Sequence, residues 1–199
     1  MTTKILDVSG LPTFAFGHRS ILWWATMGMI LIEGTAFGLL GASYIFLKWR
    51  VPEWPPGFAP PQLVWGTATT LVVLASMIPN HLAKRAAERL DLPRTRLWIW
   101  ISVLFAVGFL VTRTLEFTAL NVWYDDNAYG SIVWFLLGTH TAHVVTDIID
   151  TAVLGTMAIA GPLDAGRFVD FSENAFYYYF VVLSWLPIYA LLYLAPRFI

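Results

Sequence analysis

Five long apolar segments dominate this sequence of 199 residues. A helix rises about 1.5 Å per residue, so roughly 20 residues cross the hydrocarbon layer of a membrane, which is about 30 Å thick. Backbone polar groups inside that layer must be paired within the protein, and α-helices meet this requirement. The sequence therefore predicts an all-α integral membrane bundle of five transmembrane helices that forms a single membrane domain over residues 1–199. The predicted spans are 21–47, 63–79, 97–120, 131–160 and 175–195.

The composition is typical of a membrane protein and argues against several other classes. Hydrophobic residues make up 58% of the chain and charged residues only 13%, which would leave a soluble domain with too much exposed apolar surface. The net charge of −1 and the lack of a basic cluster interleaved with aromatic residues make nucleic-acid binding unexpected. Because the chain has no Cys, disulfides, thiol catalysis and Cys-ligated metal sites are impossible.

Positive charges are divided unequally between the two ends of the predicted spans. Eight Lys and Arg side chains lie on the side of the N-terminus and three on the opposite side. Since positively charged loops resist translocation, we expect the N-terminus in the cytoplasm and the C-terminus outside. The eight are Lys4, Arg19, Lys84, Arg85, Arg89, Arg94, Arg96 and Arg167, and the three are Lys48, Arg50 and Arg197.

The fourth predicted span carries four ionisable residues on one helix face. His140, His143, Asp147 and Asp150 are separated by three, four and three residues, which aligns them along the helix. Facing lipid would be costly, so we expect them to face the bundle interior or a hydrated cleft. A hydrogen-bonded seam between helices, a mononuclear His/His/Asp metal site and an ion path are all open interpretations. Haem held by this chain alone is not expected, because both imidazoles project from the same helix face.

Two charged residues near the end of the third span are candidate partners for this face. Arg113 and Glu116 are three residues apart, and the fourth span enters the membrane from the same side, which places His140 roughly three turns in. The sequence therefore predicts a network of Arg113, Glu116 and a His across two helices. Pairing of this kind lowers the cost of charge in hydrocarbon.

Glu33 lies near the middle of the first span, with no basic residue within two turns on its own helix. Burial in an apolar environment favours the protonated form of a carboxyl group. Two roles are open for it: a proton-carrying acid, or a protonated Glu that is hydrogen-bonded to another helix. Gly28, Gly34, Gly38 and Gly41 accompany it at near-helical spacing, which allows close approach of a neighbouring helix.

Several motifs together resemble the subunit III family of haem–copper oxidases, in the five-helix form that lacks the first two helices of longer members. Residues 138–144, Gly-Thr-His-Thr-Ala-His-Val, resemble the family's Gly-x-His-Gly-x-His-Val signature. Residues 54–57, Trp-Pro-Pro-Gly, match its Trp-Pro-Pro loop, and Glu33 is similar to its membrane-embedded Glu. Residues 108–117 align with its Gly-x-x-Phe-x-x-x-Gln-x-x-Glu-Tyr pattern when the spacing is allowed to slip. The resemblance extends over residues 16–198.

Two departures from the family pattern indicate a divergent branch. Residues 178–185 correspond to the family's closing motif Trp-His-Phe-Val-Asp-x-x-Trp but lack both its His and its Asp. Arg113 stands where Gln is usual. An accessory subunit of a nitric oxide reductase is therefore one alternative.

The resemblance implies a non-catalytic accessory subunit of a respiratory oxidase in the bacterial inner membrane, with its C-terminus in the periplasm. Such a subunit packs against the catalytic subunit I and other subunits, binds phospholipids and supports proton uptake, while haem and copper lie in the partner subunits and this chain binds no cofactor. From a different class, a small ion-coupled transporter or proton channel that uses the His/Asp stripe, and an intramembrane metalloenzyme, remain alternatives. The expected internal polar or proton network consists of Glu33, Arg113, Glu116, His140, His143, Asp147 and Asp150.

Overall fold

Long α-helices joined by short connections make up the computed structural model, which describes residues 13–198. Lys4, one of the basic residues counted above, lies outside the described residues. The last long helix continues through a π-helical turn into a short sixth helix. The helices are α1 (Ile21–Lys48), α2 (Leu63–Glu88), α3 (Leu92–Thr118), α4 (Ala128–Ala160), α5 (Phe168–Tyr189), the π-helical turn (Ala190–Leu194) and α6 (Ala195–Phe198).

Five of the helical segments are long and apolar enough to cross a membrane. They measure between 26 and 34 residues when α5 is taken together with its flanking turns and α6. At about 1.5 Å per residue, even the shortest exceeds the thickness of a hydrocarbon layer. The prediction of an all-α chain with five spans is confirmed.

The helix α2 extends beyond the predicted second span. That span ends at Pro79, whereas α2 continues to Glu88 and α3 begins at Leu92. Pro79 is buried inside α2 and does not end it. One missing backbone donor is tolerated there because neighbouring helices support the chain, and the Ala-rich stretch that follows favours helix.

Helices α3, α4 and α5 begin before the predicted spans, whereas α1 and α2 begin at the predicted residues. Capping side chains mark the starts of α3 and α4. The side chain of Asp91 accepts a hydrogen bond from Arg94 N at 3.2 Å at the start of α3. Asn127 accepts one from Gly130 N at 2.9 Å at the start of α4. An apolar run marks the part of a helix inside hydrocarbon, whereas the polar caps lie beyond it.

The helices pack unequally, and α1 lies at the periphery. The pair α2 and α3 makes the most extensive contact, and α5 packs across α2 and α4. The main core lies between α3, α4 and α5, around Phe109, Leu136 and Trp185. On α1 only Tyr44 is buried, because this helix touches α4 and α5 along one edge. The bundle therefore has a dry centre and a loosely covered flank.

Candidate functional site

A sealed group of polar side chains lies where α3, α4 and the π-helical turn meet. Arg113 Nη1 is 2.9 Å from Glu116 Oε2, and Arg113 Nη2 is 3.3 Å from His140 Nδ1. The hydroxyl of Tyr193 donates a hydrogen bond to Glu116 Oε1. None of the four residues is more than 2% exposed. We call Arg113, Glu116, His140 and Tyr193 the inner cluster.

Aromatic rings surround the guanidinium group of the inner cluster. The Arg113 Cζ atom lies 4.1 Å from the ring centroid of Trp185 and 5.0 Å from that of Phe109. A buried cation needs such partners, since removing it from water is costly and the ring faces and Glu116 offset this cost. The inner cluster therefore joins helices through a charge that is almost fully buried.

His140 has a defined hydrogen-bond pattern inside the inner cluster. Its Nε2 lies 3.0 Å from the carbonyl oxygen of Val181, which can only accept, so Nε2 carries the proton. Its Nδ1 faces the guanidinium of Arg113, which can only donate. Both ring nitrogens are satisfied by a neutral imidazole, and His140 acts as a neutral bridge between α3 and α5.

A second polar group joins α1, α4 and α5 closer to the surface. Glu33 Oε1 is 3.6 Å from His143 Nε2, and the Tyr177 hydroxyl donates a hydrogen bond of 2.7 Å to Glu33 Oε2. The side chains of Glu33 and His143 are each 21% exposed. We call Glu33, His143 and Tyr177 the outer cluster.

His143 has one defined hydrogen bond in the outer cluster. Its Nδ1 lies 2.7 Å from the carbonyl oxygen of Thr139 and therefore donates to it. In a neutral imidazole this leaves Nε2 without a proton, facing Glu33. The 3.6 Å between Nε2 and Glu33 Oε1 is longer than a hydrogen bond, so these two groups face each other without a direct bond.

The two aspartates of the predicted stripe lie in different surroundings. Asp147 is 4% exposed, and its Oδ1 has no hydrogen-bond partner in the described part of the chain. Asp150, one turn further on, is exposed and lines a cleft between α1, α4 and α5. The stripe thus runs from the sealed interior at His140 to an open cleft at Asp150.

The seven predicted site residues therefore do not form one continuous network among residues 13–198. Arg113, Glu116 and His140 meet, as do Glu33 and His143, and the two aspartates lie apart from both pairs. Sequence reasoning missed Tyr177 and Tyr193, each of which donates to a buried or half-buried carboxyl group. The available signal was the presence of Tyr hydroxyls within an apolar span, where each needs a hydrogen-bond partner.

The described residues contain no group of three or more His, Asp and Glu side chains placed to hold a metal ion. His140 and His143, the two imidazoles of the proposed metal site, are oriented toward different partners on different helices. The alternative of a metal site on this stripe therefore gains no support from the geometry of residues 13–198.

Comparison with known proteins identifies the family. The profile of the family described as cytochrome c oxidase subunit III matches residues 59–196. This is more than half of the chain, and the chain belongs to the cytochrome c oxidase subunit III family. It is accordingly a multi-pass membrane protein, in agreement with its five long apolar helices.

Individual relatives cover nearly all of the chain. It is 26% identical over 172 residues to the cytochrome c oxidase subunit 3 of Thermostichus vulcanus, with 85% of each chain covered. It is 25% identical over 180 residues to that of Bacillus sp. (strain PS3), with 89% of this chain and 86% of the relative covered. For the relative from Synechocystis sp. the identity is 22% over 180 residues, with 89% and 77% covered.

Proposed function

We propose that this chain is the non-catalytic subunit III of a respiratory haem–copper oxidase. In this role it packs on the catalytic subunit I, which together with other subunits holds the haem and copper, and it contributes stability and sustained proton uptake to the complex. The match to the subunit III family over residues 59–196 is the observation that carries this proposal. It favours an oxidase subunit over an independent transporter or metalloenzyme.

The proposed orientation places the start of α1 in the cytoplasm and the end of α5 in the periplasm of a bacterial cell. Seven described Lys and Arg residues lie at the end of the bundle where α1 begins, and three lie at the opposite end. Since the basic end of a membrane protein stays in the cytoplasm, this supports the assignment. We also propose that residues 1–199 form one membrane domain.

Phospholipid is the proposed occupant of the loosely covered flank. An apolar groove of about 500 Å³ runs between α1 and α5, where Gly34, Gly38 and Gly41 face Phe180 and Leu191. Its lining offers almost no hydrogen-bonding groups, which suits an acyl chain. Bound lipid would cover the side of the bundle that the five helices leave open.

We assign different roles to the two clusters. The inner cluster is proposed to lock α3, α4 and α5 together, because His140 on α4 contacts Arg113 on α3 and the carbonyl oxygen of Val181 on α5, and Tyr193 donates to Glu116. The outer cluster is proposed to hold a proton, since Glu33 and His143 face each other near the middle of the membrane and are partly exposed.

The first experiment is purification from the native membrane in a mild detergent. We expect this chain to travel with a larger haem-bearing subunit and to show no haem absorption when it is separated from that subunit. Recovery of a stable, self-sufficient chain with no haem-bearing partner would contradict the proposal.

The second experiment replaces Glu33 with Ala in the intact complex. Sustained turnover or assembly should fall while the haem absorption spectra stay unchanged, because Glu33 lies on this chain and not beside a haem. Glu53→Ala, in the exposed loop at the other end of α1, is the matched control and should retain turnover. An altered haem spectrum in Glu33→Ala would overturn the assignment.

A further inference from the structure

A polar cleft opens between α1, α4 and α5 at the end of the bundle where α1 begins. Its volume is about 220 Å³, and its polar lining comes from Asp150, Asp170, Glu173, Asn174 and Tyr177. These acidic residues belong neither to the inner cluster nor to the lining of the proposed lipid groove. The cleft is therefore a separate polar feature of the bundle.

Glu173 is the most unusual group in this lining. The residue is 3% exposed, and neither of its carboxyl oxygens has a hydrogen-bond partner among the described residues. The backbone of Gly17 lies within reach of this carboxyl group, and Lys84 lies nearby. Buried carboxyl oxygens are almost always hydrogen-bonded, and water in the cleft is the further donor that we expect for Glu173.

Tyr177 connects the cleft to the outer cluster. It lines the cleft, and its hydroxyl donates a hydrogen bond of 2.7 Å to Glu33 Oε2. A phenolic oxygen can accept one hydrogen bond while it donates another. Tyr177 therefore contacts both the cleft and the carboxyl group of Glu33.

The groove between α1 and α5, which begins next to Glu33 at Gly34, is mostly apolar. It is lined by Phe37, Leu136, Phe180 and Ile188, among others. The ring centroid of Phe37 lies 5.0 Å from that of His143. Water occupies a cavity only where polar partners hold it, so we expect the polar cleft to be better hydrated than this groove.

We infer that the cleft is a one-sided access route by which protons from the end where α1 begins reach Glu33 through Tyr177. Hydronium in the cleft gives a proton to the Tyr177 oxygen as the phenolic proton passes to Glu33, which leaves water, a neutral Tyr and a protonated Glu. The inference rests on the proposed proton-holding role of Glu33.

Charged and titratable groups on three helices influence this proton transfer. They are His143, Asp147 and Asp150 on α4, Asp170 and Glu173 on α5, and the ion pair of Lys84 with Glu88 on α2. The acids attract hydronium to the cleft, and His143 shares the delivered proton with Glu33.

The test follows protonation of Glu33 by time-resolved infrared spectroscopy after a pH jump. The intact complex is placed in liposomes of sorted orientation, and the carboxyl band that disappears in Glu33→Gln is assigned to Glu33. In Tyr177→Phe we expect protonation to slow on the order of 10²-fold, the loss typical of removing a positioned proton donor. Tyr178→Phe is the matched control, because that hydroxyl bonds Ser76 on α2 and not Glu33.

Two further measurements keep the test decisive. Asp150→Asn changes the cleft without touching Glu33 and should slow protonation in the same direction. Acidification at the end where α1 begins should protonate Glu33 faster than acidification at the other end.

Equal rates in wild type, Tyr177→Phe and Asp150→Asn would overturn the access route alone. A Glu33 band that never responds to pH would overturn the proton-holding role and the route together. Loss of association with the haem-bearing subunit in wild type would instead contradict the proposed function.

Discussion

The inner and outer clusters share three kinds of side chain, but only the inner cluster contains an arginine, and the bundle covers the two clusters to different degrees. Each has a glutamate, an imidazole and a tyrosine hydroxyl, and both are built on α4, where His140 and His143 lie three residues apart. The side chain of the inner glutamate is 1% exposed, whereas that of the outer glutamate is 21% exposed. The cause is α1, which packs along only one edge and leaves the outer cluster near the surface.

This difference is the basis of the two roles that we propose for the clusters. His140 lies between a carbonyl group and a guanidinium, which together satisfy a neutral ring. His143 lies between a carbonyl group and a carboxyl group. Two histidines on one face of one helix therefore have different partners, because the neighbouring helices bring different groups to them.

The largest expected effect is on the ion pair of the inner cluster. Arg113→Leu leaves Glu116 buried without its cation and should lower the free energy of unfolding by about 3–5 kcal/mol. Arg94→Leu is the control, because its pair with Asp91 at 3.3 Å is exposed and should be worth about 0–1 kcal/mol. Unfolding in mixed micelles of mild and denaturing detergent measures both.

The double variant Arg113→Leu/Glu116→Leu sharpens this prediction. Removing both charges should recover part of the loss, because no unpaired carboxyl group is left in the core. Equal losses for Arg113→Leu and Arg94→Leu would show that the inner cluster is not the sealed centre described here.

A smaller effect on stability is expected from a methyl group added at Gly66, beside the inner cluster, or at Gly34, next to Glu33 on α1. A Cβ atom added to Gly66 would lie 2.6 Å from Cζ of Tyr193, a rigid ring in the inner cluster, so Gly66→Ala should cost about 1–3 kcal/mol. At Gly34 the nearest atom, Cε2 of Phe180, would be 3.6 Å away. Gly34→Ala should therefore be neutral or stabilising by up to about 1 kcal/mol. Thermal unfolding of the two variants in one detergent tests the contrast, and a larger loss at Gly34 would reverse it.

The smallest effect on stability is expected at Glu33. Glu33→Gln keeps an oxygen that accepts from Tyr177 and changes a partly exposed site, so the free energy of unfolding should fall by less than about 1 kcal/mol. Glu116→Gln, the equivalent change in the inner cluster, leaves Arg113 without a counter-charge and should cost about 3 kcal/mol or more. Similar losses in the two variants would mean that the clusters do not differ in burial as described.

Much of the fold could be predicted from local patterns. Apolar runs of span length require helices, and all five were found in the described chain. The ends were less predictable, because Pro79 and the basic residues after it looked like a stop signal, yet α2 passes through both. A membrane helix tolerates a proline when neighbouring helices support it. The hydropathy of one segment gives no information about those neighbouring helices.

The candidate site was predictable only within a single helix. The spacing of His140, His143, Asp147 and Asp150 placed them on one face, and the spacing of Arg113 and Glu116 allowed an ion pair. Tyr177 donates a hydrogen bond to Glu33, from which it is 144 residues away in the sequence, and Tyr193 donates one to Glu116, 77 residues away. No local pattern links residues so far apart.

The sequence by itself therefore determined that this chain is a five-helix membrane protein with ionisable groups at membrane depth. Tertiary structure alone decided which of those groups are buried and which stay partly exposed. The reason is physical: periodicity defines the faces of one helix, whereas burial and hydrogen bonding depend on how the other helices cover those faces.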